Sequence, residues 1–156
     1  MEIALFRIDS RLVHGQVIEA WIPYTGASKI VVVDDKAASD FMLNEVMKMA
    51  VPPDIELQCS SVEDFVSGQR TREVGGGKVL VLCRDLKVAI TIIKKVRGII
   101  KVNVGNLHYE AGKREISPTV FFDADDEKIV RNMRELGVEI DVKAVPTDNK
   151  IEIELR

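Results

Sequence analysis

Only two cysteines occur in the 156 residues. Cys59 and Cys83 lie far apart in apolar segments, which argues against a disulfide framework or a CxxC redox pair and reads as two reduced core thiols. An excess of positive charge is also missing: 22 Lys and Arg stand against 25 Asp and Glu, a formal net charge of -3. Such a chain offers a polyanion little to read, so nucleic acid is not the expected partner. No uninterrupted run of about 18 apolar residues is present, and Met1-Glu2-Ile3-Ala4-Leu5-Phe6-Arg7 carries no basic leader ahead of an apolar stretch. These absences predict a soluble cytoplasmic chain. Internal repeats, low-complexity tracts and linkers are absent as well. The 46% hydrophobic content suffices for one compact domain over residues 1–156, burying about two-thirds of its unfolded surface.

Apolar, strand-like runs at residues 3–8, 29–33, 55–58, 79–83 and 99–104 alternate with longer segments of helical pattern. That alternation predicts an α/β fold, an open and mainly parallel twisted sheet with helices on both faces. Residues 15–22 carry Val17, Ile18 and Trp21. Residues 41–50 place Phe41, Met42, Val46 and Met49 near helical spacing and stop at Pro52-Pro53. The last helix opens with Asp123, Asp125, Asp126 and Glu127, acids that suit the positive end of a helix, buries Ile129, Val130, Met133 and Leu136, and ends at Gly137. Residues 138–145 and 150–155 read as two strands around a Pro146-Thr147-Asp148-Asn149 turn, one of them an antiparallel edge strand. Residues 67–78 mix charge with three glycines and read as a surface loop. Gly75-Gly76-Gly77-Lys78 precedes a strand, whereas a nucleotide-binding loop follows one and opens a helix, so it is not read as a phosphate loop.

The segment with chemistry joins the first strand to the first helix: Arg7-Ile8-Asp9-Ser10-Arg11-Leu12-Val13-His14-Gly15-Gln16-Val17. In open α/β sheets ligands collect outside the carboxyl ends of the strands, and a helix N-terminus offers unpaired N–H groups to an anion. His14 stands at that place. Gly15 lets a phosphate approach the backbone, the amides near Gly15 and Gln16 can donate to it, and Arg11 supplies a forked, permanently charged donor. An imidazole with an unperturbed pKa of about 6.5 is mostly neutral at pH 7 and has a lone pair for phosphorus. Phosphoryl transfer asks chiefly for in-line positioning and positive charge around three oxygens. Asp9 is expected to orient Arg11 or hold the tautomer of a nearby ring, since a carboxylate aimed at the phosphate would repel it.

With Trp21 following, this segment resembles the IIB component of the mannose/fructose/sorbose family of the bacterial sugar phosphotransferase system. The likeness continues through Val32-Val33-Asp34-Asp35, Lys48-Met49-Ala50-Val51-Pro52-Pro53, Asn103-Val104-Gly105-Asn106, Gly112-Lys113, Ile116-Ser117, Glu135-Leu136-Gly137-Val138 and Val145-Pro146-Thr147-Asp148, nearly the full length. It implies that His14 is the phosphorylated histidine, that Arg11 steadies the phosphoryl group and that Asp9 belongs to the same loop. It also implies a phosphotransferase needing no metal or nucleotide cofactor, fed by a IIA phosphodonor protein and passing phosphate to a sugar entering through membrane IIC and IID components. The chain would then sit at the inner face of the membrane through those partners. Self-association is compatible with all of this. No IIA-like segment accompanies the chain, so the donor is expected to be a separate polypeptide and docking to be transient. Where the family often has a second aspartate, this chain has Ser10, whose neutral hydroxyl suits phosphate. Leu107-His108-Tyr109 also departs from the commonest continuation.

His108 follows the fifth strand, where it can meet phosphate, substrate or a partner. Asp34 ends the second strand, where a carboxylate either touches sugar hydroxyls or caps the next helix, and capping is the favoured reading. Trp21 reads as core. Two other classes of function compete: a phosphohydrolase with a phosphohistidine intermediate, which needs a general acid at the leaving group, and a regulatory sensor in which bound anion or phospho-His14 alters a partner's affinity.

Overall fold

Val31-Val32-Val33 and Leu80-Val81-Leu82 are buried without alternation, as expected of strands covered on both faces. The computed structural model describes residues 2–68 and 77–156. Strands β1 (Glu2–Asp9), β2 (Lys29–Val33), β3 (Glu56–Ser60), β4 (Lys78–Cys83), β5 (Lys101–Asn106) and β8 (Glu139–Val142) form one sheet in the order β3-β2-β4-β1-β5-β8. Every pairing in it is parallel. All carboxyl ends therefore lie along one edge, and β1 is flanked there by β4 and β5.

One face is covered by a π-helical turn (Val17–Trp21) running into α1 (Ile22–Thr25), by α2 (Asp35–Ser39) and by α3 (Phe41–Ala50). Val17, Trp21, Ala37 and Met47 pack there on Ile30, Val32, Leu80 and Leu82. The other face carries α4 (Val62–Gly68), α5 (Leu86–Lys95) and α6 (Ala124–Glu135), with Phe65, Leu86, Ile92, Val130 and Met133 against Phe6, Ile8, Val81 and Val104. Strand alternation thus sends Arg7 and Asp9 of β1 to the π-helical face. The π turn ends just before Pro23, which cannot donate to the preceding turn and crowds its carbonyl, so a widened turn is a natural accommodation.

The open sheet with helices on both faces is as expected. The antiparallel pairing is not at its edge, however: β8 runs parallel to β5, and the antiparallel pair is a separate hairpin of β6 (Arg114–Ser117) and β7 (Val120–Phe122). Residues 150–155 form no ladder. Their alternation reflects one-sided burial, with Ile153 buried and Ile151 and Leu155 packed on the core as an extended tail. On α3 the apolar residues Phe41, Met42, Val46 and Met49 are exposed, and Met47 faces the sheet instead. Leu136 is exposed too, because the helix ends at Glu135 and Gly137 turns the chain with φ 80°. The acids of α6 do cap it: Asp123 accepts from the Asp126 amide while Asp126 accepts from the Asp123 amide. Of the loop expected over residues 67–78, residues 69–76 lie outside the described residues. Cys59 and Cys83 are both free, Cys83 fully buried and Cys59 half-buried. No described helix is long and apolar enough to cross a membrane.

Candidate phosphoryl-transfer site

Asp9 is the last residue of β1 and is fully buried. A carboxylate without water needs donors, and it has five contacts to them. Arg7 donates from Nε at 3.1 Å and from Nη2 at 3.0 Å to Oδ2, His14 Nε2 lies 2.7 Å from Oδ2, Asn106 Nδ2 donates to Oδ2 at 2.9 Å, and the Arg11 amide donates to Oδ1 at 2.9 Å. Burial by itself raises the Asp9 pKa. The hydrogen bond to His14, the Arg7 charge, Asn106 and the Arg11 amide outweigh it and hold the carboxyl below its ordinary 3.8. Asp9 is therefore ionised at neutral pH and can only accept. It follows that His14 Nε2 carries the ring proton and donates it to Asp9. His14 is 9% exposed, and among the described residues its Nδ1 has no hydrogen-bond partner, so the Nδ1 lone pair is uncommitted.

The loop between these residues is shaped to bring the ring back over the strand end. Leu12 sits at φ 58°, in the left-handed region that costs a non-glycine residue roughly 1–2 kcal/mol. It is held there by burial of its side chain and by its amide on the Asp9 carbonyl at 3.0 Å. The His14 carbonyl then takes the amides of Val17 and Ile18, starting the helix. Gly15 and Gln16 thus stand in the first turn, where N–H groups lack intrahelical acceptors. Gln16 also accepts from Asn106 Nδ2 at 3.0 Å. Ser10 is half-buried beside β5, with its amide on the Asn106 carbonyl at 2.8 Å.

Asp9 orients the imidazole, as one of its two expected roles required. Its guanidinium partner is Arg7, however, and Asp9 meets Arg11 only through the backbone. The Arg11 side chain is exposed and has no hydrogen bond or ion pair among the described residues, so it is unengaged on the loop between Asp9 and His14. Asp34 caps α2, accepting from the Ala37 amide at 2.9 Å, and its carboxylate is also clasped by Arg84. His108 lies on the surface, 66% exposed by its side chain and paired with Glu110 at 3.0 Å, and makes no bond to His14 or Asp9. Trp21 is core, with Nε1 donating to the Ala144 carbonyl at 2.8 Å. Among the described residues no cluster of three His, Cys, Asp or Glu is arranged around a metal ion.

Arg7, Asn103, Gly105 and Asn106 are the residues that reading the sequence did not single out individually. The Arg7 guanidinium is wholly buried, 5.2 Å from the centre of the Trp21 ring, and its Nη1 donates to Asn103 Oδ1 at 2.7 Å and to the Lys143 carbonyl at 3.1 Å. Burial lowers its pKa and Asp9 partly restores it. Gly105 forms the floor: a Cβ there would lie 2.0 Å from Arg7 Cζ. The signal was a charged residue inside an apolar strand, two positions before Asp9 and hence on the same face, with Asn103 and Gly105 as the other non-apolar interruptions on the neighbouring strand.

Similarity to known proteins extends over nearly the whole chain. The family described as PTS system sorbose subfamily IIB component matches residues 3–155. The N-acetylgalactosamine-specific phosphotransferase enzyme IIB component 2 of Escherichia coli is 32% identical over 97% of this chain and 96% of its own length. The sorbose-specific EIIB component of Lacticaseibacillus casei is 30% identical over 98% and 93%. The crystal structure of the N-acetylgalactosamine-specific IIB component 1 from Escherichia coli superposes with a TM-score of 0.91 at 31% identity, covering 98% of this chain and all of that one.

Proposed function

The chain belongs to the IIB components of the sorbose subfamily of the sugar phosphotransferase system, and from that membership we propose how its own residues perform the IIB step. A IIB component is a phosphotransferase that accepts a phosphoryl group from a IIA protein and transfers it to a sugar, and it works with membrane IIC and IID components. In the proposed assignment His14 is the phosphoryl carrier and Nδ1 its reacting nitrogen. The observation that carries this is the split of the ring, with Nε2 spent on ionised Asp9 at 2.7 Å and Nδ1 buried without a partner among the described residues.

Balance of charge gives Asp9 its role. The bond from phosphorus to the donor's ring nitrogen breaks as the bond to Nδ1 forms, and the donor ring recovers its lone pair. His14 keeps the proton on Nε2, so both ring nitrogens are substituted and the ring becomes cationic. Asp9 sits against that new charge and away from the phosphoryl oxygens, stabilising the phosphohistidine. Arg7 and Asn106 hold the carboxylate in place. The phosphoryl group, carrying about -2 at neutral pH, meets Arg11 and the first-turn amides of Gly15 and Gln16, with Ser10 at the rim. In the second transfer the P–Nδ1 bond breaks, the sugar hydroxyl oxygen takes the phosphoryl group and releases its proton to water, and the ring returns to neutral with its proton still on Nε2.

In this reading residues 1–156 act as one unit, IIA and the membrane components dock in turn over the His14 edge, and membrane association arises through those partners. The relatives' names make a hexose or N-acetylhexosamine the first class of acceptor to test. A phosphohydrolase would need an acid beside the leaving group, and His108, the only other histidine, is instead paired with Glu110 at the surface. The test is incubation with phosphoenolpyruvate, the general phosphotransferase proteins and a IIA donor, followed by intact-mass and peptide mapping of wild type and His14→Ala. Acid-labile phosphate on His14, absent from the variant, is expected. An unlabelled chain beside a donor that phosphorylates another IIB component would reject the carrier assignment.

A further inference from the structure

The sheet register places an arginine beside this site that the reaction above does not use. Ile8 of β1 and Val33 of β2 both pair with Cys83 of β4. Asp9, Arg84 and Asp34 are therefore the residues that follow these matched positions on three adjacent strands, whose axes lie about 4.8 Å apart at the carboxyl edge. Asn106 of β5 continues the row on the other side of Asp9. Parity sets the face: Arg84 and Asp34 lie two residues beyond Leu82 and Val32, which pack under the π-helical turn. This is the face to which Arg7 and Asp9 point. Arg84 is thus the cation nearest Asp9 along the row toward β2.

Its side chain is fixed by one edge only. Nε and Nη2 each donate at 3.0 Å to a different oxygen of Asp34, a bidentate grip on a carboxylate that is itself buried and bound to the Ala37 amide. Among the described residues Nη1 has no hydrogen-bond partner, and the side chain is 38% exposed. An arginine held along one edge keeps a second donor edge oriented without further loss of side-chain freedom, and a planar fork suits a phosphate oxygen pair. Arg11, by contrast, is unrestrained and lies on the loop.

We propose that Arg84 is the second guanidinium of the phosphoryl-transfer site: Asp34 aligns it, and its free Nη1 edge binds phosphoryl oxygens on the β4 side of His14 while Arg11 closes from the loop. The inference rests on His14 being the phosphoryl carrier. It assigns the Asp34–Arg84 pair a purpose beyond capping α2, because a pair serving only as a cap would have no need of a half-exposed arginine in the row of Asp9.

The experiment measures phosphoryl transfer from IIA at varied donor concentration, and the 31P NMR titration of phospho-His14, for wild type, R84Q, R84K and the double variant D34N/R84Q. The double variant strands no buried carboxylate and keeps the test valid if R84Q folds poorly. Loss of Nη1 should slow transfer at saturating donor about tenfold with little change in KM, should raise the pH at which the phosphoryl group takes its last proton, and should be partly rescued by R84K. A rise in KM alone would make Arg84 a contact for the partner protein, and unchanged kinetics with an unchanged titration would make it structural; either overturns the proposal. Because labelling of His14 is followed throughout, failure of Arg84 is distinguishable from failure of the carrier assignment, which would abolish the label in wild type as well.

Discussion

His14 Nε2 and Asp9 Oδ2 lie 2.7 Å apart, and the opposite ring nitrogen has no partner among the described residues. A hydrogen bond to an acceptor-only carboxylate selects one tautomer, so the pair decides which nitrogen reacts. Long-range 1H–15N correlation of the resting protein should find the His14 proton on Nε2, and the phosphorylated protein should show phosphorus coupled to Nδ1. Phosphorus on Nε2 would require the ring to leave Asp9 and would contradict the proposed role of that carboxylate.

Arg11 has an exposed side chain with no partner among the described residues, so its removal costs the fold little. Arg11→Ala should melt within about 0.5 kcal/mol of wild type and slow phosphoryl transfer at least about tenfold, equivalent to about 1.4 kcal/mol of transition-state stabilisation. Stopped transfer assays beside thermal melts check both halves. Unchanged transfer would remove Arg11 from the mechanism.

Arg7 shows the opposite balance. It is buried and binds Asp9, Asn103 and the Lys143 carbonyl. Arg7→Met leaves a buried carboxylate without its cation, a change that costs about 3–5 kcal/mol in comparable settings. Urea unfolding of the variant should show a loss of that order, together with weak labelling of His14. A stable Arg7→Met that labels normally would mean that Asn106, His14 and the Arg11 amide suffice for Asp9.

The approach of Gly105 to Arg7 can be tested without touching a charge. A Cβ at 2.0 Å from Arg7 Cζ cannot be accommodated by a guanidinium held on several sides. Gly105→Ala should therefore destabilise the protein by roughly 1–3 kcal/mol as overpacking does and shift the His14 ring resonances. Unaltered melting would show that the Arg7 network has slack.

What the sequence disclosed about this site follows from which interactions are local. Asp9, Arg11, His14 and Gly15 lie within seven residues between a strand and a helix, so their meeting can be read from spacing alone. Arg7 needed strand parity, and the contributions of Asn106 and Lys143 depend on β5 and β8 arriving beside β1, which no local pattern specifies. In the fold, residues 29–33 appear as a strand with the bounds expected, since a continuous buried run has one reading once a sheet exists. Residues 150–155 misled because alternation reports burial of one face and says nothing of hydrogen bonding. The β6–β7 hairpin was missed because its strands are short and partly polar. The stripe on α3 misled because apolar spacing does not say which of two faces meets the sheet, and Leu43 and Met47 took that place.

The Asp34–Arg84 pair supplies a pH dependence whose sign can be worked out. Burial raises the Asp34 pKa, but the hydrogen bonds from Arg84 and the Ala37 amide and the positive charge of Arg84 more than reverse this, leaving it below 3.8. A carboxylate whose pKa is lower folded than unfolded stabilises the native state fully above its unfolded pKa and loses that contribution as pH falls through the folded value. Arg84 stays charged throughout, so the dependence belongs to Asp34 alone. Asp34→Asn should cost about 1–3 kcal/mol at pH 7, the range for hydrogen bonds to a charged group and the loss of a helix cap, and the gap between variant and wild type should narrow below about pH 4. Urea midpoints of both proteins between pH 7 and pH 3 provide the measurement. A gap that stays constant to pH 3 would mean that the carboxyl titrates alike in the folded and unfolded chains, whereas a gap that widens as pH falls from 7 toward 4 would mean that the Arg84 grip is too weak in solution to offset burial.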